Sequence, residues 1–324
     1  MKPLKLKQMN STIYITIGLF FLLYLFGCIR YPGFSSPQVF CNLFIDNAFL
    51  IVTAVGMTFV IITGGIDISV GSVIALICMV IAYLVEKLKV DPVIALLIAL
   101  LIGTSIGFIQ GVLVQVFKIQ PFIVTFAGML FARGMTAVIS TETINITNKF
   151  FMNLANARIK LFDKTFIAPT VIIALLVVAV SYYIANYTSF GRCVYAIGGN
   201  EQSAVLMGLP VAKVKILVYT LNGFYSAIAG IIFCLYMLSG YTLHAQGVEM
   251  DAIASSVIGG TLLTGGVGNV IGTVFGVLIL GTIQSILSFD GTLNSWWTRI
   301  FIGILLTIFI FLQNILTKNR NKVA

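Results

Sequence analysis

Residues 187–215 read YTSFGRCVYAIGGNEQSAVLMGLPVAKVK, the longest structured-looking break in apolar character in the second half of the chain. Asn200 has the side chain of a helix cap, and Glu201 places a negative charge in the first turn, where it suits the helix dipole. Ser203 and Ala204 fall inside the short helix so started. Val205, Leu206 and Met207 give it an apolar side, and Gly208 with Pro210 stops it. Lys213 and Lys215 mark the cytoplasmic start of another hydrophobic run. A short amphipathic helix between two membrane spans makes a knob that a soluble partner can push against. An ordinary ordered connection has the same composition, and this stretch alone does not separate the two.

Outward from that break the chain is apolar. Apolar residues make up 59% of its 324 positions and charged ones 9%, a balance outside the range of soluble domains. The mean hydropathy is +1.08, and apolar runs long enough to cross a bilayer recur throughout. The chain therefore reads as an all-α polytopic membrane protein of about ten transmembrane helices, some broken by glycine. A net charge of +9 would suggest nucleic acid in a soluble chain; here the basic residues sit at span ends as membrane anchors, and no nucleic-acid partner is expected. The five cysteines are scattered without a CxxC pair and read as small core residues. His244 is the single histidine, which excludes a multi-histidine metal site within the chain.

Taken in order, Lys2, Lys5 and Lys7 precede an apolar run over 13–29. Leu25–Phe26–Gly27–Cys28 has the outline of a lipidation site, but Phe26 is bulky for that role and more spans follow, so an uncleaved first span is expected. The second span, 43–62, ends at Thr63–Gly64–Gly65–Ile66–Asp67–Ile68–Ser69–Val70–Gly71, from which a third runs to about Val85. Irregular backbone at membrane depth is tolerated only inside protein or along a wet cavity. Asp67 is thus expected to cap a helix at 68–72 or to line the pathway. The fourth span carries Gly103, Gly107 and Gly111, a small-residue ridge for close packing, and the fifth carries Arg133, which needs a partner or must snorkel to the outer interface.

Parity places residues 140–166 outside as a basic loop and 187–213 inside. Basic tails at 1–12 and 317–324 put both termini in the cytoplasm. The eighth span, opened by Glu249 and Asp251, breaks at 259–268, and the ninth and tenth reach about Leu316. The two breaks resemble each other: Gly64–Gly65 lies seven residues before Gly71, and Gly265–Gly266 seven before Gly272. Such internal repeats belong to transporters, with substrate near the broken helices. Phosphate loop, nucleophile elbow and paired metal ligands are all lacking. The chain therefore reads as neither an enzyme nor a cofactor binder, but as a translocation path that needs energy from outside. An ion-coupled secondary transporter is the alternative.

Three segments carry a resemblance beyond composition: AVGMTFVIITGGIDISVGSVIAL (54–76), the GR…YAIGGN…A…MG run (191–208) and ASSVIGGTLLTGGVGNVIGTVFG (254–276). They resemble the ribose/galactose/xylose family of bacterial ABC importer permeases over nearly the whole chain. FDGTLNSWWT (289–298) and VEMDAIASSVIGGTLL (248–263) are similar to its galactofuranose importers. The resemblance implies a multi-pass protein of the bacterial cytoplasmic (inner) membrane, formed as one permease domain over 1–324. It would be paired with a sister permease or itself, driven by a cytoplasmic ATP-binding subunit and supplied by an extracytoplasmic sugar-binding protein. The ATPase would dock on Gly191, Arg192, Gly198, Gly199, Asn200, Ser203, Ala204, Leu206, Met207 and Gly208. Thr63, Asp67, Ser69, Asn222, Ser255, Ser256 and Gln284 are the polar residues expected along the path of a monosaccharide.

Overall fold

The computed structural model describes residues 4–162, 165–291 and 296–321. The side chains of both expected basic tails lie outside the described residues, as do Asp163 and Lys164 of the expected external loop. The apolar runs form α1 (Leu4–Arg30), α2 (Pro37–Asp46), α3 (Ala48–Ile62), α4 (Val70–Ala82, continued by a π-helical turn Tyr83–Lys87), α5 (Pro92–Gln115) and α6 (Pro121–Ile139). After β1 (Ile144–Asn145), α7 (Lys149–Asn156), β2 (Ile159–Phe162) and β3 (Thr165–Ile167) come α8 (Pro169–Tyr187), α9 (Ser189–Gly199), α10 (Glu201–Leu206) and α11 (Val211–Met237). The chain continues through β4 (Ser239–Gly240), α12 (Val248–Ile258), α13 (Val270–Asp290) and α14 (Trp296–Asn321).

Among the described residues seven helices are long and apolar enough to cross a membrane, or eight if α2 and α3, bent by 54°, count as one span. The expected eighth span is an 11-residue helix, α12, about 16 Å long and too short to cross alone. Of the expected tenth, 299–309 is the apolar part among the described residues.

The bundle is centred on α3 and α4. Every residue of α4 and all of α3 except Phe49 are buried, as fits helices that are apolar on all sides. The small-residue ridge on α5 packs as expected: a Cβ at Gly107 would strike the α11 backbone at Tyr219 and Gly223. The outer faces of α5, α6 and α8 instead expose Leu101, Phe108, Phe122 and Leu176, a surface suited to lipid or another apolar protein face.

The segments expected outside share one end of the bundle. β1 pairs antiparallel with β4, Ile144 opposite Gly240. The Glu86 carboxylate accepts from the Thr147 and Asn148 amides at 2.6 and 2.8 Å, and the Tyr31 hydroxyl donates to Asp290 at 2.9 Å. Residues 140–162 and 165–167 are thus a folded cap, with Phe151 buried and Phe150 and Met152 exposed. Arg133 finds the partner it needs in the outer turn. Its guanidinium donates to the Thr242 and His244 carbonyls at 2.6 and 2.8 Å and holds the turn that leads into α12.

Candidate functional site

At the opposite end, residues 187–213 are two helices and a stop rather than a loop. Thr188 starts α9 by accepting from the Gly191 amide at 3.1 Å. Asn200 caps α10, as its side chain suggests, accepting from the Ser203 amide at 2.8 Å. Lys215 pairs with Glu201 at 2.6 Å and ties α10 to the first turn of α11. Gly208, at φ +75°, takes the left-handed conformation that ends the helix. Of the expected docking residues, Gly191 and Ala204 pack inward, whereas Arg192, Gly199, Asn200, Ser203, Leu206, Met207 and Gly208 lie on the surface. Leu206 is 88% exposed and Met207 66%, so this knob presents apolar side chains to water, the mark of an interaction surface.

Gly198 has another role. A Cβ there would fall on the Ile62 carbonyl at the end of α3 and on the Gly266 amide in the second break. The Gly266 amide itself donates to the Ile62 carbonyl at 2.8 Å. Gly265, at φ +84°, packs against Gly64 and Gly198, and the Tyr195 hydroxyl donates to the Gly268 carbonyl at 3.0 Å. Burial pushes the Tyr195 phenol up to about 12, so it stays protonated and a donor. Three glycine segments therefore meet backbone to backbone, and α9, on which the knob packs, bears directly on both breaks.

The first break then runs inward from this junction. Thr63 closes α3, its hydroxyl donating to the Val60 carbonyl at 2.8 Å. Asp67, 2% exposed, is not the cap of a helix at 68–72: α4 starts at Val70 and Ser69 holds the cap position. Its Oδ1 accepts from the Ser69 amide and hydroxyl at 2.9 and 2.6 Å, and its Oδ2 accepts from the Asn222 amide group at 2.7 Å. Gln110 donates to the Ser69 hydroxyl at 2.9 Å, linking α5 to the cluster. A buried carboxylate is tolerable only with such partners. The buried Tyr219 hydroxyl, without a hydrogen-bond partner, stands against Gly65.

A second, neutral cluster joins α3, α12 and α13. The Thr58 hydroxyl lies 3.2 Å from that of Ser256 and 2.7 Å from that of Thr273, and Ser256 donates to the Ala54 carbonyl at 3.1 Å. Ser255, beside it, is fully buried. Of the seven expected path residues, the structure brings together Asp67, Ser69 and Asn222, and separately Ser255 and Ser256. Thr63 stands apart. All six are 6% exposed or less. Gln284 alone is partly open, in a cleft of about 680 Å³ between α12, α13 and α14 that Asp251 and Arg299 also line. Thr58 and Thr273 escaped the sequence reading, since hydroxyls inside apolar helices carry no spacing signal. Gln110, an amide within an apolar span, did carry one.

Residues 39–310 match the family described as branched-chain amino acid transport system / permease component. The chain belongs to this permease family. The permease is 47% identical over 308 residues to the inner membrane ABC transporter permease protein YjfF of Escherichia coli K12, covering 95% of this chain and 93% of that one. It is 36% identical to the fructose import permease protein FruG of Bifidobacterium longum, over 95% of this chain and 91% of FruG. Against the ribose import permease protein RbsC of Bacillus subtilis the identity is 37%, over 92% and 91% of the two chains. No solved structure matches. The family is one of transport permeases rather than enzymes, and the permease is a multi-pass inner-membrane protein.

Proposed function

We propose that this permease is the membrane subunit of an ATP-binding-cassette importer that passes a monosaccharide, galactofuranose, into the cell. A separate cytoplasmic ATPase docks on the knob at 200–208, a sister permease completes the path, and an extracytoplasmic binding protein delivers the sugar to the cap. Ten spans are counted by adding α12 with its loop and α14 to the eight, and both termini are cytoplasmic. The observation that carries this reading is the knob itself. It exposes apolar residues at the end of the bundle opposite the cap and packs on α9, whose Gly198 touches both broken helices. A push on α10 therefore moves the backbone at both breaks, as coupling of ATP closure to the path requires.

The test is a pull-down of the solubilised protein from its native membrane, followed by uptake into vesicles of the purified assembly. We expect a nucleotide-binding ATPase and a second permease to co-purify, and sugar uptake to require ATP. Purified permease alone, accumulating sugar under an ion gradient, would overturn the proposal.

A further inference from the structure

The six inward-packed path candidates leave open where a polar solute meets this chain, and the surface of α2 gives an answer. Gln38, Asn42 and Asp46 recur every fourth residue and so form one row on that helix. Asn42 and Asp46 are exposed, while Leu43 and Asn47 on the opposite side are 1% and 4% exposed. Gln38 donates to the Asn42 side-chain oxygen at 2.8 Å, and Tyr236, at the end of α11, neighbours the Asp46 carboxylate.

The inner part of the row lies at membrane depth. The 15 residues of α3 separate Asp46 from Ile62 at the junction, about 22 Å of helix in a hydrocarbon layer of about 30 Å. Asn47 packs on Gly281, nine residues short of the outer end of α13, or about 13 Å below it. An exposed carboxylate facing lipid is costly, about 3 kcal/mol at the bilayer centre on insertion scales and less toward the interface. The lipid-like faces of α5 and α8 carry no charged side chain. The row also continues to the external cap, where Gln38 bonds both the amide and the carbonyl of Phe166 in β3, at 2.8 and 3.2 Å.

We infer that this face of α2, with Tyr236, is a wall of the water-filled path, and that it hydrogen-bonds the hydroxyls of a neutral sugar passing inward from the cap. Amides that donate and accept, one carboxylate and one phenol suit a polyhydroxy solute held briefly. The inference rests on the importer reading and names the residues that reading lacks. The competing occupant is a cation of a second permease paired with Asp46.

The test uses a chain whose native cysteines are replaced and which still imports with its ATPase. Asn42→Cys and Asp46→Cys are treated with a membrane-impermeant anionic methanethiosulfonate, with and without D-galactose, whose solutions contain the furanose form. Leu176→Cys, on the exposed apolar face of α8, is the dry reference. We expect labelling at least about tenfold faster than at the reference, slowed by the sugar, and a roughly tenfold loss of uptake in Asp46→Asn. Labelling no faster than at the reference, in a chain that imports normally, overturns the inference and leaves the importer reading standing. Labelling that the sugar does not slow, with normal uptake by Asp46→Asn, also overturns it as a sugar wall. Absence of ATP-driven uptake by the parent assembly instead counts against the importer reading, while the labelling still reports whether the face is wet.

Discussion

The two glycine breaks look alike in sequence and are built differently. The first, between α3 and α4, runs through 63–69 and is fixed by side chains: Asp67 gathers Ser69 and Asn222, and Gln110 holds Ser69. The second, between α12 and α13, runs through 259–269. Apart from the Tyr195 bond to Gly268 and the Asn269 cap, it is fixed by backbone, with Gly260, Gly265 and Gly266 all at positive φ and the Leu262 amide bonded to the Val267 carbonyl at 3.0 Å. Even the matched glycines differ, since Gly71 faces Glu249 and Ala245 while Gly272 lies on the backbone of Gly259. A repeated spacing of small residues specifies that helices are interrupted. What fills the interruption depends on the neighbours.

That contrast can be broken at either end. Gly266→Val puts a β-branched residue at φ +75° against the Gly199 backbone. The expected loss is about 3 kcal/mol or more, read as a collapse of thermal stability in detergent together with loss of uptake. Asp67→Leu strands the Ser69 and Asn222 donors and should lose about 3 kcal/mol, with Asp67→Asn, which keeps one acceptor, losing about 1 kcal/mol. Equal melting temperatures for the two variants would show that the carboxylate does not organise the first break. Thr58→Val removes hydroxyl contacts to Ser256 and Thr273 and should cost about 0.6 kcal/mol, the scale of such bonds between membrane helices. A much larger drop would mean that the neutral cluster also fixes the path of α12. Leu206→Asp should change stability by less than about 0.5 kcal/mol because its side chain is free in water. It should nonetheless abolish sugar-stimulated ATP hydrolysis by the assembly, and normal hydrolysis would misplace the docking surface.

Much of the frame was legible because its causes are local. Asn200 capping α10, Gly208 ending it, and the glycine ridge on α5 all act within one turn or one helix face. Which partners Arg133 would take was not legible, because the carbonyls of Thr242 and His244 lie more than a hundred residues away. The path residues were drawn from polarity alone, and polarity inside an apolar chain marks a group that needs a partner as readily as one that meets a solute. The row on α2 went unread because Gln38, Asn42 and Asp46 are ordinary at a helix end until the bend between α2 and α3 sets their depth.

The sequence by itself determined that this chain is a helical membrane protein and that two of its crossings are interrupted by glycine. Those properties follow from transfer free energy and from backbone sterics, which each short segment carries within itself. Only the tertiary structure decided that Gly198 sits on Ile62 and Gly266, that Asp67 is enclosed, and that Asp46 is exposed. Burial and contact at those positions are set by segments distant in the chain, and no window of sequence contains both sides of such a contact.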